Sequence, residues 1–269
     1  MKLPEVRIAF DPGSSLTKVV YSVSSALPQS LVMEPQILKL PTLLMTENQH
    51  SFSNMNPENQ AWLQLDPKDE DCYIVGFLAQ QYRASSRFDQ VKHEQALHKL
   101  LAAVGVVAQR EKAPRLELRV TTLLPYDEYQ NRKQFEERAQ QRLKQFWFRG
   151  QAIRTNLRAF YCSPEGGGVA RKLRDQKGEA WFNSKTIAVL MFGHRNTSCL
   201  VFRRGRLDPN ASCTSALGFV QLLQGIIKRT AGQNRDAIAT TIFDLGTSPT
   251  PDHPLIRKLI RSTLPENME

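Results

Sequence analysis

The 269-residue chain has few of the features that would place it in a membrane, outside the cell or around a metal ion. Its longest apolar run, residues 100–108, is far shorter than the ~20 residues of a membrane span and contains Gly105. The N-terminal residues MKLPEVR do not form the apolar core of a secretory signal. The four cysteines are widely spaced and include no C-x-x-C pair. We therefore expect a cytoplasmic protein with reduced cysteines and no membrane partner.

Several catalytic motifs are also missing. The chain contains no G-x-x-x-x-G-K-[ST], no H-E-x-x-H and no G-x-S-x-G. His93 and His98 are five residues apart in a segment of helical periodicity, so they face different directions and are poor joint ligands. These absences exclude a Walker-type phosphate loop, a zincin-type protease and a hydrolase with a nucleophile elbow.

Acidic residues are in deficit. The chain has thirty-six Lys and Arg residues and only twenty-six Asp and Glu residues, which gives a net charge of +10 and a pI near 9.6. Residues 131–175 alone carry eleven cations and four acids. A field of this sign favours polyanions. Because these cations follow no DNA-reading motif, we expect at most weak, sequence-independent DNA contact, and direct DNA binding through this segment is an alternative function.

Strand and helix patterns interleave along the chain, which predicts an α/β fold. β-branched or alternating runs predict strands at 6–10, 17–23, 36–40, 72–76, 116–122, 153–161, 187–192 and 198–203. Helical spacing predicts helices over 91–108, after Pro125 with a stripe that ends at Phe146, from Gly218, and in the remainder from Arg235. Residues 166–178 are rich in glycine and charge. We place the domain boundary there, with domains 1–165 and 166–269.

The first predicted hairpin carries a cluster of polar residues: Asp11, Gly13, Ser14, Ser15 and Lys18. A phosphate cradle needs backbone N–H groups that approach closely, which small residues permit. A carboxylate can hold hydrated Mg²⁺, and a lysine can neutralise phosphate oxygens. A solvent-exposed β-turn explains the same residues without a ligand.

The order of five segments extends this interpretation. They are IAFDPGSSLTKVV (8–20), YIVGFLA (73–79), VTTLLP (120–125), PEG (164–166) and residues 187–218. In that order they resemble the motifs of the actin-like ATPases, and most of all the ParM/StbA-like plasmid-segregation actins. Thr122 stands where that family usually has a glycine.

The resemblance implies an actin-like (ribonuclease H-like) two-domain nucleotide clamp with an abbreviated second domain. It further implies that ATP (or GTP) with Mg²⁺ binds between the two hairpins. The chain would then self-assemble into filaments that move plasmid DNA through an adaptor protein. The roles it implies are metal binding by Asp11, phosphate binding by Gly13, Ser14, Ser15, Lys18, Gly193 and Thr197, and orientation of the attacking water by Glu165.

The second hairpin departs from the family pattern. Where the family has an acid that helps to hold the metal, this chain has Met191. The family's glycine-rich adenosine segment is not found, and the second domain is expected to be short. We therefore expect ATP hydrolysis to be slow or lost. The alternative is a non-hydrolysing actin-like scaffold or filament regulator, and Met191 is then a core residue that never meets phosphate.

Two further features in the C-terminal half have alternative interpretations. Arg195 is either a phosphate clamp or a turn arginine. The segment DLGTS (244–248) resembles a phosphate loop, but three prolines at 249, 251 and 254 follow it. Because proline cannot pair within a strand, we do not expect a hairpin there.

Overall fold

The computed structural model describes residues 3–47, 56–84, 92–229, 238–239 and 241–242. Within these ranges the chain forms two compact units. The first contains residues 1–191 and 198–214, and the second contains residues 192–197 and 215–269. None of the helices in the described ranges combines the length and the apolar character needed to cross a bilayer.

A large mixed sheet forms the centre of the first unit. In the described chain its strands are β1 (Glu5–Asp11), β2 (Thr17–Val23), β3 (Gln29–Met33), β4 (Ile37–Pro41), β5 (Trp62–Gln64), β6 (Asp71–Val75), β7 (Arg115–Leu124), β8 (Gln145–Phe148) and β9 (Gln151–Pro164). Their spatial order is β3-β2-β1-β7-β9-β8-β5-β6-β4. The β1–β7 and β7–β9 pairs are parallel, and the other pairs are antiparallel.

Short strands and helices complete the described chain. A smaller sheet contains β10 (Thr186–Phe192), β11 (Thr197–Arg203), β12 (Arg206–Leu207) and β13 (Cys213–Ser215). The helices are α1 (Thr42–Glu47), α2 (Phe77–Gln81), α3 (Lys92–Arg110), α4 (Arg132–Leu143), α5 (Gly167–Lys177), α6 (Glu179–Asn183) and α7 (Phe219–Arg229). Two 3₁₀ turns lie at Pro57–Gln60 and Glu128–Asn131.

Helix α3 forms the main core with one face of the large sheet. Residues 100–104 and 106–108 of this helix are all buried, so the helix is enclosed almost all round. They pack with alternate residues of the central strands, including Ile8, Phe10 and Val120. Gly105 leaves room for the ring of Phe148, which a Cβ at this position would meet. The helix-interior glycine, which costs about 1 kcal/mol relative to alanine, is therefore explained by close packing.

A second apolar cluster belongs to α5, α6 and the smaller sheet. Its fully buried members are Ala170, Phe182, Val189 and Leu200. Phe182 meets the edge of the Phe202 ring, with the ring centroids 5.8 Å apart. This cluster fixes the helices that follow β9 against β10 and β11.

The α/β interpretation and the two hairpins are confirmed, and the helix over 91–108 corresponds to α3. One prediction was wrong: the helix after Pro125 ends at Leu143, and Phe146 lies in β8. Phe146 and Phe148 are buried and Trp147 is half-buried, which is the alternation of a strand. Arg149 and Gly150, both with positive φ, then turn the chain into β9, as a two-residue hairpin turn of type I′ requires.

Other sequence expectations have mixed outcomes. Strands β3 and β5 were missed. All four cysteines are free, as expected, and Cys213 is exposed. The segment expected to hold the domain boundary contains α5, and the boundary after residue 165 stays a prediction. The DLGTS segment and most of the helical remainder from Arg235 lie outside the described residues.

Candidate functional site

The first hairpin is a tight connection between β1 and β2. Asp11 is the last residue of β1, and its Cα pairs with that of Lys18 in β2. Both lie on the sheet face opposite α3, where Asp11 is half-buried and Lys18 is exposed. At Gly13, a Cβ would collide with the carbonyl oxygen of Leu16, so this turn needs glycine for close backbone approach. The geometry suits a cradle of backbone amides.

A buried lysine supports this turn from the core. Lys99 of α3 is only 2% exposed, and its ammonium group donates a hydrogen bond to the Gly13 carbonyl oxygen at 3.1 Å. An ammonium group loses several kcal/mol of hydration on burial, so it persists only where polar partners hold it. Sequence reasoning missed this residue. Its signal is a cation that directly precedes the apolar run 100–108 of the predicted helix.

Two threonine hydroxyls add to the polar interior at this end of the sheet. Thr17 begins β2 and Thr122 lies near the end of β7, where its Cα pairs with that of Phe10. Both residues are fully buried on the core-facing side, and within the described chain neither hydroxyl has a hydrogen-bond partner. The core below the first hairpin therefore contains polar groups that apolar packing alone does not require.

Glu165 lies in the loop between β9 and α5. Its backbone N–H donates to the Leu124 carbonyl oxygen at 2.8 Å, which fixes the loop to the end of β7. The next residue, Gly166, has φ +88° and is the N-cap of α5. Glu165 is half-buried.

Met191 packs against this same loop. A Cβ on Gly166 would lie 2.9 Å from Met191 Cγ, and 3.2 Å from Cγ1 of Val189. Met191 is half-buried at the edge of the cluster formed by α5, α6 and β10. An apolar side chain thus occupies the position where the resemblance expects a metal-holding acid.

The turn of the second hairpin, residues 192–197, belongs to the second unit and has a close backbone approach like that of the first hairpin. The Gly193 N–H donates to the Asn196 carbonyl oxygen at 2.8 Å, and a Cβ on Gly193 would lie 2.7 Å from that oxygen. A Cβ on Gly13 would likewise collide with the carbonyl oxygen three residues after it, that of Leu16. Each hairpin therefore depends on a glycine in its turn.

Helix α7 is anchored on the second hairpin. The N–H groups of Phe219 and Val220 donate to the carbonyl oxygens of Gly193 and His194, at 3.1 and 2.8 Å. The Thr197 hydroxyl donates to the Leu217 carbonyl oxygen at 2.6 Å. These first amides of α7 and the Thr197 proton are therefore engaged within the unit. A phosphate at this hairpin would therefore be bound by other backbone amides and by side chains of the turn.

The structure divides the site residues expected from sequence between the two units. Asp11, Gly13, Ser14, Ser15, Lys18 and Glu165 belong to the first unit, and Gly193 and Thr197 belong to the second. Among the described residues, no three His, Cys, Asp or Glu side chains are grouped to hold a metal ion. Mg²⁺ often binds one or two carboxylates together with substrate phosphates, so Asp11 alone fits a metal that arrives with a nucleotide.

Residues 131–175 are called the basic segment, and their cations do not form a continuous surface on any one helix or strand. Its cations are spread over α4, β9, α5 and the β8–β9 turn. Several of them are partnered: Arg158 pairs with Glu117 at 2.6 Å, and Arg154 donates to Gln145 at 3.0 Å. This arrangement provides no single helix or ribbon for reading a DNA groove.

The chain has the fold of the actin-like proteins. Its structure resembles that of the actin-like protein Alp7A, with a TM-score of 0.67 and 13% identity over 96% of this chain and 75% of that one. It also resembles apo psk41 ParM, with a TM-score of 0.60 and 14% identity over 90% and 74% of the two chains.

The structural neighbours include a filament and a nucleotide complex. The AlfA filament from the B. subtilis plasmid pLS32 has a TM-score of 0.55 and 14% identity, over 85% of this chain and 80% of AlfA. Bacillus thuringiensis ParM with ATP has a TM-score of 0.58 and 14% identity, over 92% and 74%. No protein-family model and no curated protein matches the chain. The likeness is therefore one of fold, and it confirms the actin-like architecture expected from the motif order.

Proposed function

We propose that this chain is a cytoplasmic actin-like protein that binds ATP (or GTP) with Mg²⁺ and self-assembles to segregate plasmid DNA through an adaptor protein. The observation that carries the proposal is the pair of glycine hairpins with matching geometry, at Gly13 and Gly193, on an actin-like fold. Solved neighbours with ATP and AMPPNP, and the AlfA filament, support nucleotide binding and self-association.

In this proposal the chain's own residues have distinct tasks. The amides of residues 13–15 and the Lys18 ammonium bind phosphate oxygens, and Asp11 holds the hydration shell of the metal. Glu165 orients the attacking water, and Gly193 with Thr197 supplies the second cradle. When bound, Mg²⁺ would neutralise the charge that develops on the transferred phosphoryl group.

Weak or absent hydrolysis is part of the proposal. Met191 is seated among apolar side chains and beside Gly166, so it cannot replace the second acid. Loss of one positioned group in such a site commonly costs about 10²–10³ in rate. The same packing favours the second candidate, a non-hydrolysing actin-like scaffold or filament regulator.

A thermal-shift series tests the nucleotide part. Melting is measured without nucleotide, with Mg-ATP, with Mg-GTP, and with each nucleotide plus EDTA. A ligand at 100 times its Kd stabilises the folded chain by ~2.7 kcal/mol, and we expect that gain to shrink when the metal is removed. No shift and no calorimetric heat at millimolar nucleotide would refute nucleotide binding.

Pelleting and light scattering test self-assembly. A head-to-tail contact that does not close into a ring produces open-ended filaments, so scattering should rise steeply above a critical concentration. A monomer or closed dimer under every nucleotide condition would refute the filament. A phosphate-release assay on the same samples separates the slow ATPase from the non-hydrolysing scaffold.

A further inference from the structure

A separate cavity of about 190 Å³ lies in the first unit, where α3 and α4 meet the sheet near β6. Leu65 and Leu97 form its apolar wall. Tyr73 and His98 lie at its side, with their rings stacked at a centroid distance of 3.9 Å and an angle of 30°. The volume is several times the roughly 30 Å³ that one water occupies in the liquid, so the cavity has room for a small polyatomic ion.

Two arginines of α4 line the same cavity. Arg138 and Arg142 are four residues apart, so they lie on one face of the helix and repel each other. Within the described part of the chain, neither has an ion pair or a hydrogen bond. Gln141 adds an amide, and none of the described residues that line the cavity carries a carboxylate. Positive charge is therefore concentrated at this cavity, and none of its described lining residues supplies a counterion.

The pKa of His98 reflects the burial and the positive charge at this cavity. Burial first, and then the charges of Arg138 and Arg142, lower the pKa of His98 to about 4. The titratable groups that face it among the described lining residues are Tyr73 from β6 and the two arginines from α4. At neutral pH the imidazole is uncharged and can donate one N–H to a ligand.

We propose that this cavity binds a phosphate group, either as inorganic phosphate or as the head of a small phosphomonoester. Guanidinium groups bind tetrahedral oxyanions through paired N–H donors, and a dianion matches the charge of the two guanidinium groups. The wall supplies N–H and O–H donors on one side and apolar contact on the other. The site shares no residue with either hairpin, so phosphate binding here can be tested independently of nucleotide binding at the hairpins.

Calorimetry with sodium phosphate at pH 7.5, against sodium chloride of equal ionic strength, tests the proposal. The variant Arg138→Gln/Arg142→Gln removes both guanidinium groups. The control, Lys172→Gln/Lys177→Gln, removes the same charge from two exposed positions of α5. We expect phosphate to bind the wild type and the control alike, and at least tenfold more weakly to the α4 variant. Equal binding to all three proteins, or no heat with the wild type, would overturn the proposal.

A second readout uses the unmodified protein and does not depend on how a variant folds. The ring signal of His98 is assigned by its loss in His98→Gln and titrated with pH in chloride and in phosphate. Bound phosphate offsets the two arginines, so the pKa of His98 should rise by at least half a unit. An unchanged titration curve at saturating phosphate would refute the site.

Two further ligands distinguish the sources of the phosphate group. Glycerol 3-phosphate that binds more tightly than inorganic phosphate indicates a phosphomonoester, and the reverse order indicates the free ion. Acetate, a monoanion, should bind at least tenfold more weakly than either. Acetate binding of equal strength would overturn the assignment to phosphate.

Discussion

Replacing Lys99 tests whether the core residue beneath the first hairpin matters for ligand binding or only for folding. In Lys99→Met, the Gly13 carbonyl oxygen loses a charged donor at 3.1 Å. A hydrogen bond to a charged group contributes about 1.5–3 kcal/mol, but the variant also escapes the cost of burying an ammonium group. Because methionine nearly matches the lysine stem in length, we expect the free energy of unfolding to change by no more than about 1 kcal/mol. For a chain of this size that is roughly 2–4 °C in Tm.

The effect on nucleotide affinity should be larger than the effect on stability. A phosphate bound to the amides of the turn would lie roughly 8 Å from the Lys99 ammonium group, one peptide group and one hydrogen bond beyond it. At an effective dielectric constant of about 20, two unit charges at that separation attract by about 2 kcal/mol. Lys99→Met should therefore weaken Mg-ATP binding about thirtyfold in Kd.

Calorimetry and thermal melting, run side by side, check this reasoning. Lys99→Gln keeps a donor without the charge and should lie between wild type and Lys99→Met in affinity. Lys172→Met removes the same charge from an exposed position of α5 and should change Kd by less than about twofold. A drop in Tm of more than about 10 °C with unchanged affinity would show that Lys99 only supports the fold. If the wild type binds no nucleotide, faster hydrogen exchange at the Gly13 and Ser14 amides in Lys99→Met still tests the positioning role.

Four further predictions concern single groups. Asp11→Ala should weaken nucleotide binding in the presence of Mg²⁺ and have little effect in EDTA, measured by calorimetry; equal losses in both would argue against a metal role. Met191→Asp should raise phosphate release while lowering Tm, because a carboxylate enters a half-buried apolar site, and Met191→Leu serves as the size control. A large fall in Tm with unchanged hydrolysis would refute the assignment of the second hairpin to the active site. The pKa of His98, about 4, lies below its usual value of 6.5, so the unfolded chain takes up the proton first as the pH falls. The free energy of unfolding should drop by about 3 kcal/mol between pH 6.5 and 4, and denaturant titrations of His98→Gln should lack this component. Burial raises the pKa of Cys162 to about 12, so at pH 8 an alkylating reagent should modify Cys162 far more slowly than exposed Cys213, and equal rates by mass spectrometry would contradict this.

Local patterns in the sequence were sufficient for the α/β class, the two glycine hairpins and helix α3. Each depends on interactions between residues close in the chain, such as the alternation of β1 and β2 around Gly13. The Asp-Pro-Gly-Ser-Ser turn identified the candidate cradle because small residues and close backbone approach are local requirements.

Local periodicity failed where one residue satisfied two patterns. Phe146 continues the helical stripe of Ala139 and Leu143, but it also begins the alternating strand β8. The sheet resolves the ambiguity, because β8 pairs with both β9 and β5. The turn at Arg149 and Gly150 was the available sequence signal for that hairpin.

The sequence alone identified the candidate phosphate-binding residues, but only the tertiary structure decided what surrounds them. Lys99 is 86 residues from Gly13 in the chain and hydrogen-bonds to it only because α3 packs beneath β1 and β2. In the same way, the packing of α4 on α3 brings Arg138 and Arg142 to His98. Charges and hydrogen bonds act through space over a few ångströms, and no local pattern records which distant residues a fold will bring within that range.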